Sequence, residues 1–152
     1  MNSEDIWENN ILSILSPIKL DLLHIFLFCL KENGIYVNVN LHIRRNYPEM
    51  LSNKTLLSFF DFGKSVDRFY PPFINDQINY TRDLLTSLNN YTKYKIGEDP
   101  MVLNIELNNE NTIFDLWGDA KFHLLNEKSQ KELISQWTTI LKSKYKTFEE
   151  IK

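Results

Sequence analysis

The stretch LDLLHIFLFCLKENGIYVNVNLHI, Leu20 to Ile43, decides how the fold is read. Its first half, Leu20 to Leu30, is a continuous apolar run, and periodicity does not separate a buried strand from a buried helix in such a run. Ser16-Pro17 ahead of it has the form of a helix cap. Asn33-Gly34 behind it supplies the positive φ angles of a type I′ hairpin turn. The hairpin signal is preferred, so Leu20–Leu30 is read as a strand, with the helix as the alternative. In the second half, Ile35, Val37, Val39, Leu41 and Ile43 alternate with Tyr36, Asn38, Asn40 and His42. One apolar and one wet face make this a half-exposed antiparallel strand.

Working outward, Ser3 followed by acidic residues starts a helix. Its stripe is Trp7, Ile11, Ile14 and Leu15, and it ends at Pro17. Residues 44–74 are irregular and aromatic, broken by Pro48, Gly63 and Pro71-Pro72. Asn75 or Asp76 then caps a helix carrying Ile78, Leu84, Leu85, Leu88 and Tyr91, which ends at Gly97. Met101 to Leu107 alternates again, Asn108 to Asn111 turns, and Thr112 to Trp117 returns as the partner strand. Ser129-Gln130-Lys131-Glu132 is a capping box. It opens a helix with Leu133, Ile134, Trp137, Ile140, Leu141 and Tyr145 on one side and Lys142, Lys144 and Lys146 at its C-terminal end. The expected architecture is α+β: an antiparallel sheet of two hairpins packed against helices as a two-layer sandwich.

Residues 1–152 are expected to form a single domain, since 43% hydrophobic composition at this length supports an ordinary core without metals or disulfides. The net charge of −3 argues against a nucleic-acid partner, which requires a basic footprint. The longest apolar run is too short to span a bilayer, and Glu4, Asp5 and Glu8 have the wrong sign for a signal peptide. The expected location is the cytoplasm, with no membrane partner. The single cysteine, Cys29, sits in the apolar run and reads as buried and inert.

Catalytic motifs are missing from the sequence. Gly63-Lys64-Ser65 resembles the tail of a P-loop, but Ser58 stands where the upstream glycine belongs. His24, His42 and His123 lie far apart, without the spacing of a zinc site. His24 reads as a core residue and His42 as a surface strand residue, although strands can bring His42 against a distant carboxylate. No catalytic residue, cofactor or metal site is assigned. Carboxylates cluster around the second hairpin: Glu98, Asp99, Glu106, Glu110, Asp115 and Asp119. With Trp117 they suit electrostatic capture of a basic protein. Phe69 and Tyr70, beside stiffening prolines, form a second candidate surface unless their rings simply cover the core. The candidate partner-binding set is therefore Glu106, Glu110, Asp115, Trp117, Asp119, Phe69 and Tyr70.

Two stretches carry a family resemblance: IFLFCLKENGIYVNVNL, residues 25–41, and LLTSLNNYTKYKIGEDPMVLNIELNNENTIFDLWGD, residues 84–119. In the order of helix, G-x-x-P turn and alternating hairpin, the chain resembles the YezG-like antitoxins, cytoplasmic immunity proteins of polymorphic toxin systems. The resemblance implies a small protein that binds a cognate toxin domain, a nuclease in the first instance, and blocks its active site. It implies no cofactor and no chemistry of its own. Two other functions are expected to compete: a small enzyme using His42 or the hairpin carboxylates, and an adaptor or oligomer subunit. The free protein is expected to be a monomer or a weak homodimer.

Overall fold

The computed structural model of the chain describes residues 15–42, 64–114 and 121–151. The expected N-terminal helix up to Ile14, residues 44–63 of the aromatic stretch 44–74 and residues 115–117 of the expected last strand lie outside these residues. The described chain runs α1 (Pro17–Glu32), β1 (Val37–Asn40), α2 (Pro71–Thr86), β2 (Val102–Glu106) and α3 (Glu127–Lys144), with short 3-10 turns between them.

The apolar run is a helix, not a strand. Ser16 caps α1, its hydroxyl accepting from the Lys19 amide at 3.5 Å, and Pro17 occupies the first turn, where its missing N–H costs nothing. The turn signal at Asn33-Gly34 is real but serves a helix end. Gly34 adopts φ +68°, its N–H donates to the Lys31 carbonyl, and the Ile35 N–H reaches back to Leu30. These two bonds are a Schellman cap, which satisfies carbonyls that the helix end leaves open. Asn33-Gly34 answers equally to a hairpin and to a helix stop, and here it ends a helix whose start Ser16 caps.

The sheet is correspondingly different from the expected pair of antiparallel hairpins. The class is α+β, but β1 and β2 pair with each other, in parallel, as one two-stranded sheet. A parallel pair needs a long crossover, and α2 lies within it. The expected return strand is not paired with β2 over its described part: Thr112 Oγ1 instead accepts from the Phe114 amide at 3.1 Å, a local turn. The register runs Val37 to Val102 and then Asn38 to Asn104, so Leu103 is an extra residue on β2. That bulge breaks the expected alternation: Met101 is buried, Val102 and Ile105 face the core, and Leu103 and Leu107 are exposed. The expected wet face of β1 also fails at its end, where His42 is wholly buried beside Leu41.

Helix boundaries shift for similar reasons. α2 starts at Pro71-Pro72 in the first turn, four residues before the expected cap, and ends at Thr86. Gly97 lies beyond it in a 3-10 turn, where a Cβ would sit 3.2 Å from Leu85. α3 is capped by Asn126, whose Oδ1 accepts from the Ser129 amide at 2.8 Å. Ser129 is therefore inside the helix and buried, not its cap.

Among the described residues two clusters make the core. Leu27 of α1, Leu41, Tyr80 and Leu84 of α2, Ile96 and Met101 form the larger, beneath the sheet. Val66, Phe69, Tyr70, Phe73 and Leu125 form the second, with Leu133 of α3 packed against it.

Gly34 has nothing within 4 Å of a Cβ position, so a substitution there meets backbone strain alone. Gly34→Ala is expected to lower stability by about 1 kcal/mol in urea denaturation. Gly34→Asn should cost less, because asparagine tolerates the left-handed region. An unchanged urea midpoint for Gly34→Ala would remove this turn as the determinant of the α1–β1 junction.

Candidate functional site

β1 carries the chain to His42, and the 3-10 turn Val66–Arg68 presents Asp67 to it. His42 Nδ1 lies 3.2 Å from Asp67 Oδ2 and 3.0 Å from Asn108 Oδ1. Asn111 Nδ2 donates to both Asp67 oxygens at 2.9 Å and to Asn108 Oδ1 at 2.9 Å. Both groups facing Nδ1 are acceptors, so the histidine carries its proton there and donates. The Asn111 carbonyl oxygen accepts from the Ser65 amide at 2.7 Å, and the Ser65 hydroxyl donates to the Thr112 carbonyl at 2.6 Å. These bonds hold Ser65 at φ +71°, a conformation an L-residue adopts only when its surroundings fix it.

The result is a buried polar cluster joining three segments remote in sequence. The His42 and Asp67 side chains are both 0% exposed. The arrangement of a carboxylate on Nδ1 is that of an oriented general base, but here it is closed to solvent. Its immediate effect is mechanical: it fixes the end of β1 to the loop after β2. Composition gave no sign of it. The signal lay in the asparagines of NVNLH and LNNEN, which look like exposed strand and turn residues until the loop folds back.

The expected acidic face is dispersed. Glu106 is half-buried and accepts from Asn40 Nδ2 at 2.7 Å, while Glu110 is exposed with φ +46°. Glu98 pairs with Lys95 on the surface. Asp99 turns inward to Lys31 Nζ at 2.8 Å, and that ammonium stands 4.1 Å from the Tyr94 ring centroid. Asp115, Trp117 and Asp119 lie outside the described residues. Phe69 and Tyr70 are buried in the second core cluster, so they cover the core and present no outer surface. Cys29, read as buried, is exposed, because the helical path of α1 places it on the outer side. Among the described residues no group of three or more His, Cys, Asp or Glu could hold a metal ion.

What the surface does show is apolar. Ile18, Leu22, Ile25 and Phe26 recur at i, i+4, i+7 and i+8 along the outer side of α1, and all are exposed, Ile18 to 76%. Asp21 and Glu32 border this stripe on one edge by the helical period. Tyr91 fixes Asp21, its hydroxyl donating to Oδ1 at 3.1 Å. The opposite side of α1 carries Leu27 and His24 into the core.

No protein-family model matches the chain, and no curated protein or solved structure matches it. Among the described residues no helix is long and apolar enough to cross a membrane.

Two buried groups make stability depend on pH. Burial lowers the His24 pKa below its usual 6.5, outweighing the Asp21 charge that raises it. The Ser87 hydroxyl gives its proton to the Leu84 carbonyl, so His24 Nε2–H donates to Ser87 Oγ at 3.3 Å. Burial pushes the Asp99 carboxyl up, but the Lys31 ammonium and the Met101 N–H outweigh it and hold the group below its usual 3.8. Both shifts mean that the unfolded chain binds protons more readily, so acid destabilises the fold. His24 contributes a loss as pH falls through the unfolded value of 6.5, and Asp99 a second loss below 3.8. His24→Gln is expected to flatten the first step, and Lys31→Met the second, in urea melts from pH 7 downward. A wild-type profile level from neutrality to pH 4 would contradict the first of these assignments. Removing half of the buried pair is costlier: His42→Ala should lose about 3 kcal/mol, because it leaves a cavity and takes from the buried Asp67 carboxylate one of its two side-chain donors, Asn111 remaining.

Proposed function

We propose that this chain is a binding protein of the immunity type, which sequesters a cognate toxin domain in the cytoplasm and blocks its active site. The observation that carries the reading is the outer stripe of α1. Ile18, Leu22, Ile25 and Phe26 are held rigidly outward by a helix whose other side is core. An exposed apolar stripe of this kind marks an interaction site. Its preorganisation lowers the ordering cost of association. Asp21 and Glu32 on its edge suit a basic partner surface, as a nuclease domain would provide, and such charge complementarity speeds encounter. The resemblance of residues 25–41 and 84–119 to the YezG-like antitoxins adds only the order of the sequence, because residues 25–32 are helix and the two strands pair in parallel where it implied hairpins. The reading moves the binding face from the second hairpin to α1.

One contact favours a rival. His42 Nδ1 against Asp67 is the geometry of an oriented acid–base pair, and an enzyme would use it. Its burial favours the structural role, and the two separate cleanly. Asn111→Ser loosens the cluster without removing either titratable group; a bell-shaped pH–rate profile altered by this change would establish the enzyme.

Leu22→Asp with Phe26→Asp is the direct test of the binding reading. The protein is co-expressed with the C-terminal domain of the protein encoded immediately upstream, that domain's toxicity being tested alone first, and growth rescue and calorimetric affinity are measured. The unaltered chain is expected to bind one-to-one at nanomolar affinity. The double variant should keep its fold and lose at least about a hundredfold in affinity, the scale of two buried anchor residues. Full protection by a correctly folded double variant would rule out α1 as the binding face.

A further inference from the structure

Asn33-Gly34 is the one Asn-Gly pair in the sequence. In such a pair the glycine nitrogen, with no Cβ beside it, reaches the asparagine side-chain carbonyl carbon readily and displaces ammonia from it. The fold sets this pair at an exposed helix end, open to water, and then holds it in an unreactive shape. Ring closure requires Gly34 N to eclipse Asn33 Cβ about the Cα–C bond, whereas at ψ 10° it eclipses the residue's own nitrogen. The Gly34 N–H, which must lose its proton to attack, donates to the Lys31 carbonyl at 3.0 Å. Asn33 Nδ2 donates to the Cys29 carbonyl at 2.8 Å, which ties the amide back onto α1. All three constraints belong to the cap itself, so all three end together when the turn opens.

We infer that Asn33 is a self-modification site gated by the C-terminal cap of α1, locked while the turn holds and deamidated to aspartyl and isoaspartyl forms when it opens. In the opened turn, hydroxide removes the Gly34 N–H proton and the nitrogen attacks Asn33 Cγ. The Cγ–Nδ2 bond breaks, and ammonia leaves with a proton taken from water, which restores the hydroxide. Water then opens the cyclic imide at either carbonyl. Attack at Cγ gives an aspartyl residue, and attack at the main-chain carbonyl gives an isoaspartyl one. Nothing is oxidised or reduced, and water is the only co-reactant. The products do not fit the turn they came from. The isoaspartyl form routes the main chain through Cβ and Cγ, one bond longer, so the Gly34 and Ile35 amides lose their register with the Lys31 and Leu30 carbonyls. Both forms lose the donor to the Cys29 carbonyl and place a carboxylate at the end of α1, where the helix dipole opposes it. Helix ends open at a smaller free-energy cost than the core. The change is therefore one-way and cumulative, and it marks chains that have spent time open.

The full chain is incubated in mildly alkaline buffer, folded or unfolded in urea, and followed by mass-spectrometric peptide mapping and isoaspartyl methyltransferase labelling. In urea, Asn33 is expected to show the mass gain of an amide exchanged for an acid, with the isoaspartyl label. In the folded chain its rate should be at least about tenfold lower, because the turn must open first. Gly34→Ala should slow the reaction at least about tenfold in urea, where no fold contributes, since the added Cβ crowds the attacking nitrogen. Chain aged in urea and refolded by dilution should melt at a lower urea midpoint than fresh chain. Asn33→Ser taken through the same ageing should keep the midpoint it started with, which separates this site from the other asparagines. Equal rates with and without urea would overturn the gate. An Asn33 unchanged in urea would overturn the site, and an aged chain as stable as a fresh one would overturn the effect on the turn.

Discussion

At Gly34 the backbone enters the left-handed region, and the chain changes from helix to strand within three residues. The turn does two things at once. It satisfies the last carbonyls of α1, and it aims Val37 at the edge where β2 will pair. Had the same two residues made a hairpin, Leu20–Leu30 would lie beside β1 in the sheet. Because they end a helix, α1 packs against the sheet instead, and β1 finds its partner only after α2. The parallel topology follows from that single local choice.

The far end of β1 depends on a polar device. An apolar residue in place of His42 would pack against Leu41 and its neighbours, but nothing would then fix the loop that follows β2. Asp67, Asn108 and Asn111 supply that connection, each bonded to at least one other member of the cluster. A buried network of this kind is stabilising only when its members are satisfied, and its geometry is correspondingly specific. It specifies which loop meets which strand, a role distinct from the nonspecific burial of Leu27, Tyr80 and Leu84 beneath it.

Function, in this reading, resides on the helices. The sheet is small and its carboxylates are drawn into local bonds, Glu106 to Asn40 and Asp99 to Lys31. α1 and α3 turn apolar residues outward, the first with an acidic edge and the second with a basic end.

Several features are determined by local sequence chemistry. The caps and charges that favour helices, the alternation that yields β2 and the α+β class all come from neighbours within a turn or two. The existence of α2 and α3 was legible, with their starts displaced upstream, to Pro71-Pro72 in the first turn of α2 and to the Asn126 cap of α3. The described members of the candidate set are Phe69, Tyr70, Glu106 and Glu110. Asp115, Trp117 and Asp119 lie outside the described residues, Phe69 and Tyr70 went into the core, and Glu106 was taken by Asn40. Tertiary structure decided between helix and strand for Leu20–Leu30, because an apolar run and an Asn-Gly turn suit either until the rest of the chain offers a surface to pack on. It decided the strand pairing too, since β1 and β2 are more than sixty residues apart and their local sequences fit a hairpin equally well. And it alone set His42 beside Asp67, because that contact forms only when the loop after β2 folds back onto the end of β1.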